Sequence, residues 1–119
     1  MKAISFDFDG TLTRSDVQKF ASQLISKGNR VCVLTSRLSD TEAPTKEWNN
    51  DLWDVCNSLG ITEVYFTNGS WKFHYFDKIG IKVHLDDDNQ EINKINSNKG
   101  IGISVWGNNS WENKIRRLI

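Results

Sequence analysis

Five short runs of β-forming side chains recur along 119 residues, each followed by a stretch with helical spacing, and this alternation constrains the fold more than any other feature. Strands separated by helices cannot pair as tight hairpins. They pair in parallel, through crossovers that lay the helices on the sheet faces. The strands are expected at residues 3–8, 31–35, 63–67, 81–85 and 101–105. The second, Val31-Cys32-Val33-Leu34-Thr35, is apolar until its last residue, as a strand covered on both faces should be. Val17, Phe20, Ala21, Leu24 and Ile25 recur at helical spacing behind a cap at Ser15 or Asp16, and Lys27-Gly28-Asn29 stops that helix. Further helices are expected over 45–59, closed by Gly60, and over 71–79, 89–96 and 110–118. Residues 38–46 carry the only proline, Pro44, and read as a loop. The expected fold is α/β: a Rossmann-like, doubly wound, parallel five-stranded sheet forming a single domain over residues 1–119.

Charge narrows the function. Lys+Arg and Asp+Glu each number 15, so the chain has no net charge and is not built around a large nucleic-acid or anionic-membrane footprint. No apolar run approaches the roughly 20 residues needed to span a bilayer, and Asp7 interrupts any apolar leader, so no membrane partner and a cytoplasmic location are expected. Cys32 and Cys56 make neither a disulfide framework nor a zinc set and read as small buried hydrophobes.

In such a sheet, ligands sit beyond the carboxyl ends of the strands. There the sequence places Asp7, Asp9 and Gly10 after the first strand, and Thr35, Ser36 and Arg37 after the second. Thr67 and Asn68 follow the third, Asp86, Asp87 and Asp88 the fourth, and Trp106, Gly107, Asn108 and Asn109 the fifth. Five carboxylates thus converge on one edge of a chain with no excess acid. Left alone they repel each other and some become protonated; a cation relieves both. Oxygen ligands without Cys or His suit a hard ion such as Mg²⁺, which favours one or two carboxylates together with water and a phosphate oxygen. Small hydroxyls and loop N–H groups after the second strand suit an oxyanion.

Asp7-Phe8-Asp9-Gly10-Thr11-Leu12-Thr13, following a hydrophobic strand, resembles the first motif of the haloacid dehalogenase superfamily, Asp-x-Asp-Gly-Thr. Val31–Thr35 is similar to its second motif, a strand ending in Thr or Ser, Lys72 to its third-motif lysine, and Val83-His84-Leu85-Asp86-Asp87 to its fourth, a strand ending in paired acids. The resemblance spans residues 3 to 90 and implies a Mg²⁺-dependent phosphatase that hydrolyses a phosphate monoester through an aspartyl-phosphate. It implies Asp7 as nucleophile and Asp9 as general acid, then base. It implies Mg²⁺ on Asp7, the Asp9 carbonyl and Asp86, with Asp87 reaching the ion through water or replacing Asp86. Thr35, or Ser36 after a one-residue shift, would hold the phosphoryl group, and Lys72 would balance its charge. Lys78 competes with Lys72 but should face away. Asp9 itself points to phosphate esters, because members of the superfamily that cleave carbon–halogen or carbon–phosphorus bonds lack it.

Two other functions are compatible with these residues. One is a phosphatase acting on nucleic-acid ends or nucleotides; the other is a non-catalytic binding module of the same fold. The five tryptophans and Lys114, Arg116 and Arg117 invite the nucleic-acid reading, although Trp111 reads as core and the basic trio suits the end of the last helix. Asp88 and Glu91 fit a capping box, and His84 reads as a satisfied core histidine. Relatives often insert a cap domain after the first motif or between the second and third. Here neither interval has room for one, so an open site is expected, which can admit a bulky, macromolecular phosphorylated substrate or borrow a lid from another subunit, with the loop Arg37–Trp48 and Trp71 placed to touch the leaving group.

Overall fold

A computed structural model describes residues 2–107 and 110–119, so the expected strand-end residues Asn108 and Asn109 lie outside the described part. The chain runs β1 (Ala3–Phe6), α1 (Ser15–Ser26), β2 (Arg30–Thr35), α2 (Asn50–Leu59), β3 (Glu63–Phe66), α3 (Phe76–Ile79), β4 (Val83–Asp86), α4 (Asn89–Asn96), β5 (Ile101–Ser104) and α5 (Ser110–Leu118). A tight turn over Phe8–Leu12 follows β1, and a 3₁₀ turn over Lys72–Tyr75 leads into α3. All strand pairs are parallel and the sheet order is β3-β2-β1-β4-β5. The chain therefore winds one way from β1 to β3 and the other way from β4 to β5. The crevice where the direction reverses opens between the carboxyl ends of β1 and β4.

Alternation along the strands builds two faces. Ile4, Phe6, Val31, Val33, Val83 and Leu85 bury one face against Val17, Phe20 and Leu24 of α1, Leu52 and Cys56 of α2, and Trp111 and Ile115 of α5. Each such fully buried apolar side chain stabilises the fold by about 1.5–3 kcal/mol. Trp111 meets the Phe20 ring edge-on at 5.1 Å, the core placement its spacing implies. Leu34 joins Phe76 of α3 and Ile95 of α4 in a smaller cluster on the opposite face. Ser5 and His84 are also fully buried, at paired positions of β1 and β4. Burial raises the thiol of Cys32 to about 12 and that of Cys56 to about 11, so both are inert packing groups.

Three local expectations need correction. The second helix begins at Asn50, not near residue 45. The residues before it fold as turns: Ser39 O accepts from Glu42 N and Ala43 N, while the buried Asn49 side chain donates to Leu38 O at 2.9 Å and Asp40 Oδ1 at 2.8 Å. The N-cap of α1 is Arg14, not Ser15 or Asp16; the Asp16 carboxylate is taken by Arg14 and by Val17 N–H inside the first turn. Only half of the expected capping box at α4 forms. Asp88 Oδ1 accepts from Gln90 N at 2.9 Å, but Glu91 Oε1 accepts from Lys72 N at 3.2 Å instead of reaching back to Asp88. No helix is long and apolar enough to cross a membrane among the described residues.

Candidate active site

Asp7 stands where β1 ends. Its N–H donates to Leu85 O at 2.9 Å, the last rung towards β4, and its carbonyl accepts from Leu12 N at 3.1 Å as the chain turns back. That turn needs Gly10. Its φ is +74°, and a Cβ there would drive into the carboxylate of Asp87, lying 2.8 Å from Cγ. Asp86 is the final residue of β4, so the switch-point crevice has a carboxylate on each wall.

Between these walls lies the ammonium of Lys72, donating to Asp7 Oδ1 at 2.8 Å and to Asp86 Oδ2 at 2.6 Å. The lysine comes from the 3₁₀ turn after β3, and its side chain is 2% exposed. Lys78, its rival in the sequence, instead sits over the Tyr75 ring at 5.2 Å. Thr11 Oγ1 donates to the second oxygen of Asp7 at 3.2 Å. Behind Asp86 the sequence hides a relay. Nε2 of His84 is 2.7 Å from Asp86 Oδ2, and its Nδ1 is 2.6 Å from Ser5 Oγ. A carboxylate only accepts, so Nε2 carries the proton and Nδ1 accepts from the serine hydroxyl. Asp86 Oδ1 takes the N–H of Asp88 at 3.0 Å.

These contacts divide the charge unequally. Burial, and secondarily the neighbouring charge of Asp86, raise Asp7 to about 8 despite the Lys72 ammonium. Burial acts on Asp86 too, but the His84 hydrogen bond and Lys72 overcome it and hold its carboxyl well below the usual range. Burial keeps His84 below its ordinary value, in the neutral form that this hydrogen-bond pattern requires. Lys72 is raised: burial opposes its charge, and the two aspartates outweigh that cost. Two buried carboxylates thus share one ammonium, and Asp86 is the one that keeps its negative charge.

Asp7, Asp9, Ser36, Lys72, Asp86, Asp87, Asp88 and Glu91 line an open depression of about 370 Å³. Ser36 faces it, whereas Thr35 lies behind, 1% exposed, with Oγ1 accepting from Arg37 N at 3.2 Å. Asp9 leans to the rim. Arg37 Nε and Nη2 grip its two oxygens at 2.9 and 2.8 Å, and Nη1 and Nη2 reach Asp51 at 2.7 and 2.8 Å. Phe8 lies 4.9 Å beneath the guanidinium. Oxygens of Asp7, Asp86 and Asp87 lie within 4.8 Å of one another. An all-oxygen set of this kind suits a hard divalent cation.

The sequence-selected residues Asp7, Lys72, Asp86 and Asp87 therefore meet in one place, with Asp9 and Ser36 on its rim. Reasoning on the sequence missed the Ser5–His84–Asp86 relay and the Arg37–Asp9 clamp. Each had a signal. Ser5 and His84 are polar in strands that are otherwise apolar in their interiors, and Arg37 directly follows the small hydroxyls at the acidic edge. No protein-family model matches this chain, and no curated protein matches it in sequence.

Proposed function

We propose that the protein is a phosphohydrolase of the haloacid dehalogenase type that cleaves phosphate monoesters with Asp7 as nucleophile. The observation that carries the reading is the buried ammonium of Lys72 between Asp7 and Asp86 at the sheet's switch point. A carboxylate at a crevice, flanked by a fixed cation and by small hydroxyls, is suited to attack an anionic electrophile in line. Asp7, Asp86 and Asp87 would hold Mg²⁺, with the Asp9 carbonyl as a further ligand, and the ion supplies the positive charge that draws a phosphate oxygen to this acidic edge.

Asp7 attacks phosphorus and the P–O bond to the leaving group breaks, giving an aspartyl-phosphate. Asp9 provides the proton that the departing oxygen needs, then removes one from the water that hydrolyses the acyl phosphate. Both oxygens of Asp9 are engaged by Arg37, one hydrogen bond each, so Asp9 carries that proton more readily once the guanidinium loosens its grip. Lys72 holds Asp7 in position and compensates the transferring group. Ser36, on the cleft wall, supplies the phosphoryl contact, while the buried Thr35 hydroxyl behind it accepts from Arg37 N–H and fixes that loop. His84, fixed by Ser5, keeps Asp86 oriented.

The test is phosphate release from a panel of sugar phosphates, nucleotides and phosphorylated oligonucleotides with Mg²⁺ or EDTA, run on the wild type and on Asp7→Asn. Mg²⁺-dependent release by the wild type is expected, with none from a folded Asp7→Asn protein, whose amide cannot attack phosphorus. Undiminished turnover by that variant would remove Asp7 from the mechanism. No turnover of any ester by the wild type would leave the binding-module reading.

A further inference from the structure

Beside the acidic depression lies a second and larger hollow of about 500 Å³, lined by Trp71, Gln90, Asn93, Lys94, Ser97 and Asn98. Its volume falls within the roughly 300–1,000 Å³ of small-ligand sites. The two hollows share a wall. Trp71 directly precedes Lys72, whose N–H donates to Glu91, and Gln90 is bonded through its N–H to Asp88; Asp88 and Glu91 both line the acidic depression. A group esterified to a phosphate at Asp7 and leaving over residues 88–91 enters this hollow next.

The chemistry of the lining differs sharply from that of the neighbouring site. Six carboxylates line the depression, while the hollow has none. It offers a half-exposed indole, three carboxamides, of which Asn98 already donates to Lys94 O at 2.7 Å, and a single ammonium, that of Lys94, 5.3 Å over the Trp71 ring. Gln90, Asn93 and Lys94 fall three and four positions apart on α4, so they project along one helix face. An indole gives a flat heterocycle a surface to stack on. Carboxamides both donate and accept, which matches the mixed edge of a nucleobase. A phosphotyrosine ring would use the indole and leave the carboxamides idle; an acyclic polyol phosphate would use the carboxamides and leave the indole idle. The groove on the opposite rim, formed by Arg37, Leu38 and Trp48, offers an indole without carboxamides, and its arginine is committed to Asp9 and Asp51.

We infer that this hollow is a nucleobase subsite, and that the substrate carries a base one sugar away from the phosphate that Asp7 attacks. The inference rests on the proposed phosphatase reading and adds its substrate class. The base belongs either to a free nucleotide or to the phosphorylated end of a strand.

Binding is measured by calorimetry on Asp7→Asn protein with Mg²⁺, using adenosine 5′-monophosphate, a 3′-phosphorylated trinucleotide, a phosphotyrosine peptide and glycerol phosphate. Adenosine without phosphate is added as a separate arm, read by shielding of tryptophan fluorescence from acrylamide. Base-bearing ligands should bind about tenfold or more tighter than glycerol phosphate, the order expected from stacking one base. Trp71→Ala and Asn93→Leu should each erase that margin, while Trp71→Phe keeps most of it. Asn93 is an exposed residue of α4, so its variant carries the test if Trp71→Ala does not fold. The trinucleotide binding better than the mononucleotide assigns a strand end; the reverse assigns a free nucleotide. Equal binding of nucleotide and glycerol phosphate, a preference for the peptide, or a nucleotide margin that survives Trp71→Ala or Asn93→Leu overturns the inference. Adenosine protection that vanishes in Trp71→Phe, which binds but lacks the reporting indole, and in Asn93→Leu, which keeps the indole but loses the base contact, supports the subsite even if no ester is hydrolysed, in which case only the phosphatase reading fails.

Discussion

Replacing Lys72 with Met removes the positive charge from the centre of the site and keeps the bulk of the side chain. The lysine is 2% exposed, and its partners Asp7 and Asp86 are 8% and 0% exposed by side chain, so the variant leaves two desolvated carboxylates facing each other. Removing one partner of a buried ion pair costs about 3–5 kcal/mol, most of it from the charge left uncompensated. Asp7 softens the loss, because with a pKa of about 8 it is already largely protonated near neutrality. Asp86 has no such recourse at pH 7 and sets the cost at that range. Against a total stability of roughly 5–15 kcal/mol the change is large, and it lowers Tm by about 10–20 °C. Urea unfolding of wild type and variant in EDTA reads it directly. The gap should narrow at pH 5, where the variant's native state binds protons that the wild type's Asp86 refuses. It should narrow again at pH 7 with Mg²⁺, which replaces the missing positive charge. A variant within about 0.5 kcal/mol of wild type in EDTA at pH 7 would refute the picture of one ammonium holding two buried carboxylates together.

Metal-free stability should fall as pH rises from about 6.5 to about 8, because folded Asp7 keeps its proton up to about 8 while the unfolded chain loses it near 3.8; below about 6.5 the buried neutral His84, which the unfolded chain protonates, offsets that slope. The slope, followed as Tm against pH in EDTA, should flatten above that range and be largely lost in Asp7→Asn. Asp88→Ala removes the side chain that accepts from Gln90 N at the start of α4 and should cost about 0.5–2 kcal/mol in urea. It should spare Mg²⁺-dependent turnover; lost turnover with intact stability would make Asp88 a ligand in place of Asp86. Gly10→Ala combines a left-handed backbone angle with a collision at Asp87, so turnover should collapse and Mg²⁺ affinity drop together, the second measured by calorimetry.

Most of the sheet was legible because its signals are local. A strand covered on both faces must be apolar, and Val31–Leu34 is; a helix must repeat apolar groups at helical spacing, and Val17–Leu24 does. The acidic edge was legible for the same reason, since strand ends fix where Asp7, Thr35 and Asp86 must lie. What escaped depends on the order of the strands. Ser5 and His84 are 79 residues apart and form a hydrogen bond only because β4 lies beside β1, not beside β3. The Arg37–Asp9 clamp likewise joins two strand-end loops, and Glu91 leaves its expected partner because Lys72 N–H, delivered from a distant turn, is there to take it. The late start of α2 is a matter of turns: Trp48 N donates to Thr45 O and Asn50 N to Glu47 O, and the buried Asn49 side chain ties the start of the helix across the loop to Leu38 and Asp40.

The charge balance of the edge explains why the fold tolerates it and what it demands. Six carboxylates line the depression, and Lys72 and Arg37 answer them, one inside and one at the rim. Each cation is shared between two acids, so each neutralises at most half of what it touches. The protein relieves the remainder partly by protonating Asp7, its most buried carboxyl apart from Asp86, and partly by leaving Asp9 and Asp88 exposed to water. A protonated Asp7 cannot act as a nucleophile, and an acidic hollow repels a phosphate dianion. On the proposed phosphatase reading, one divalent cation held by Asp7, Asp86 and Asp87 would answer both problems, since its charge would lower the Asp7 pKa and offset the repulsion. Metal binding and phosphate binding should therefore be strongly coupled, each ligand raising the affinity for the other by the same factor. In a chain without net charge, concentrating acid at one strand edge would, on that reading, make the site dependent on a cation before it accepts an anion.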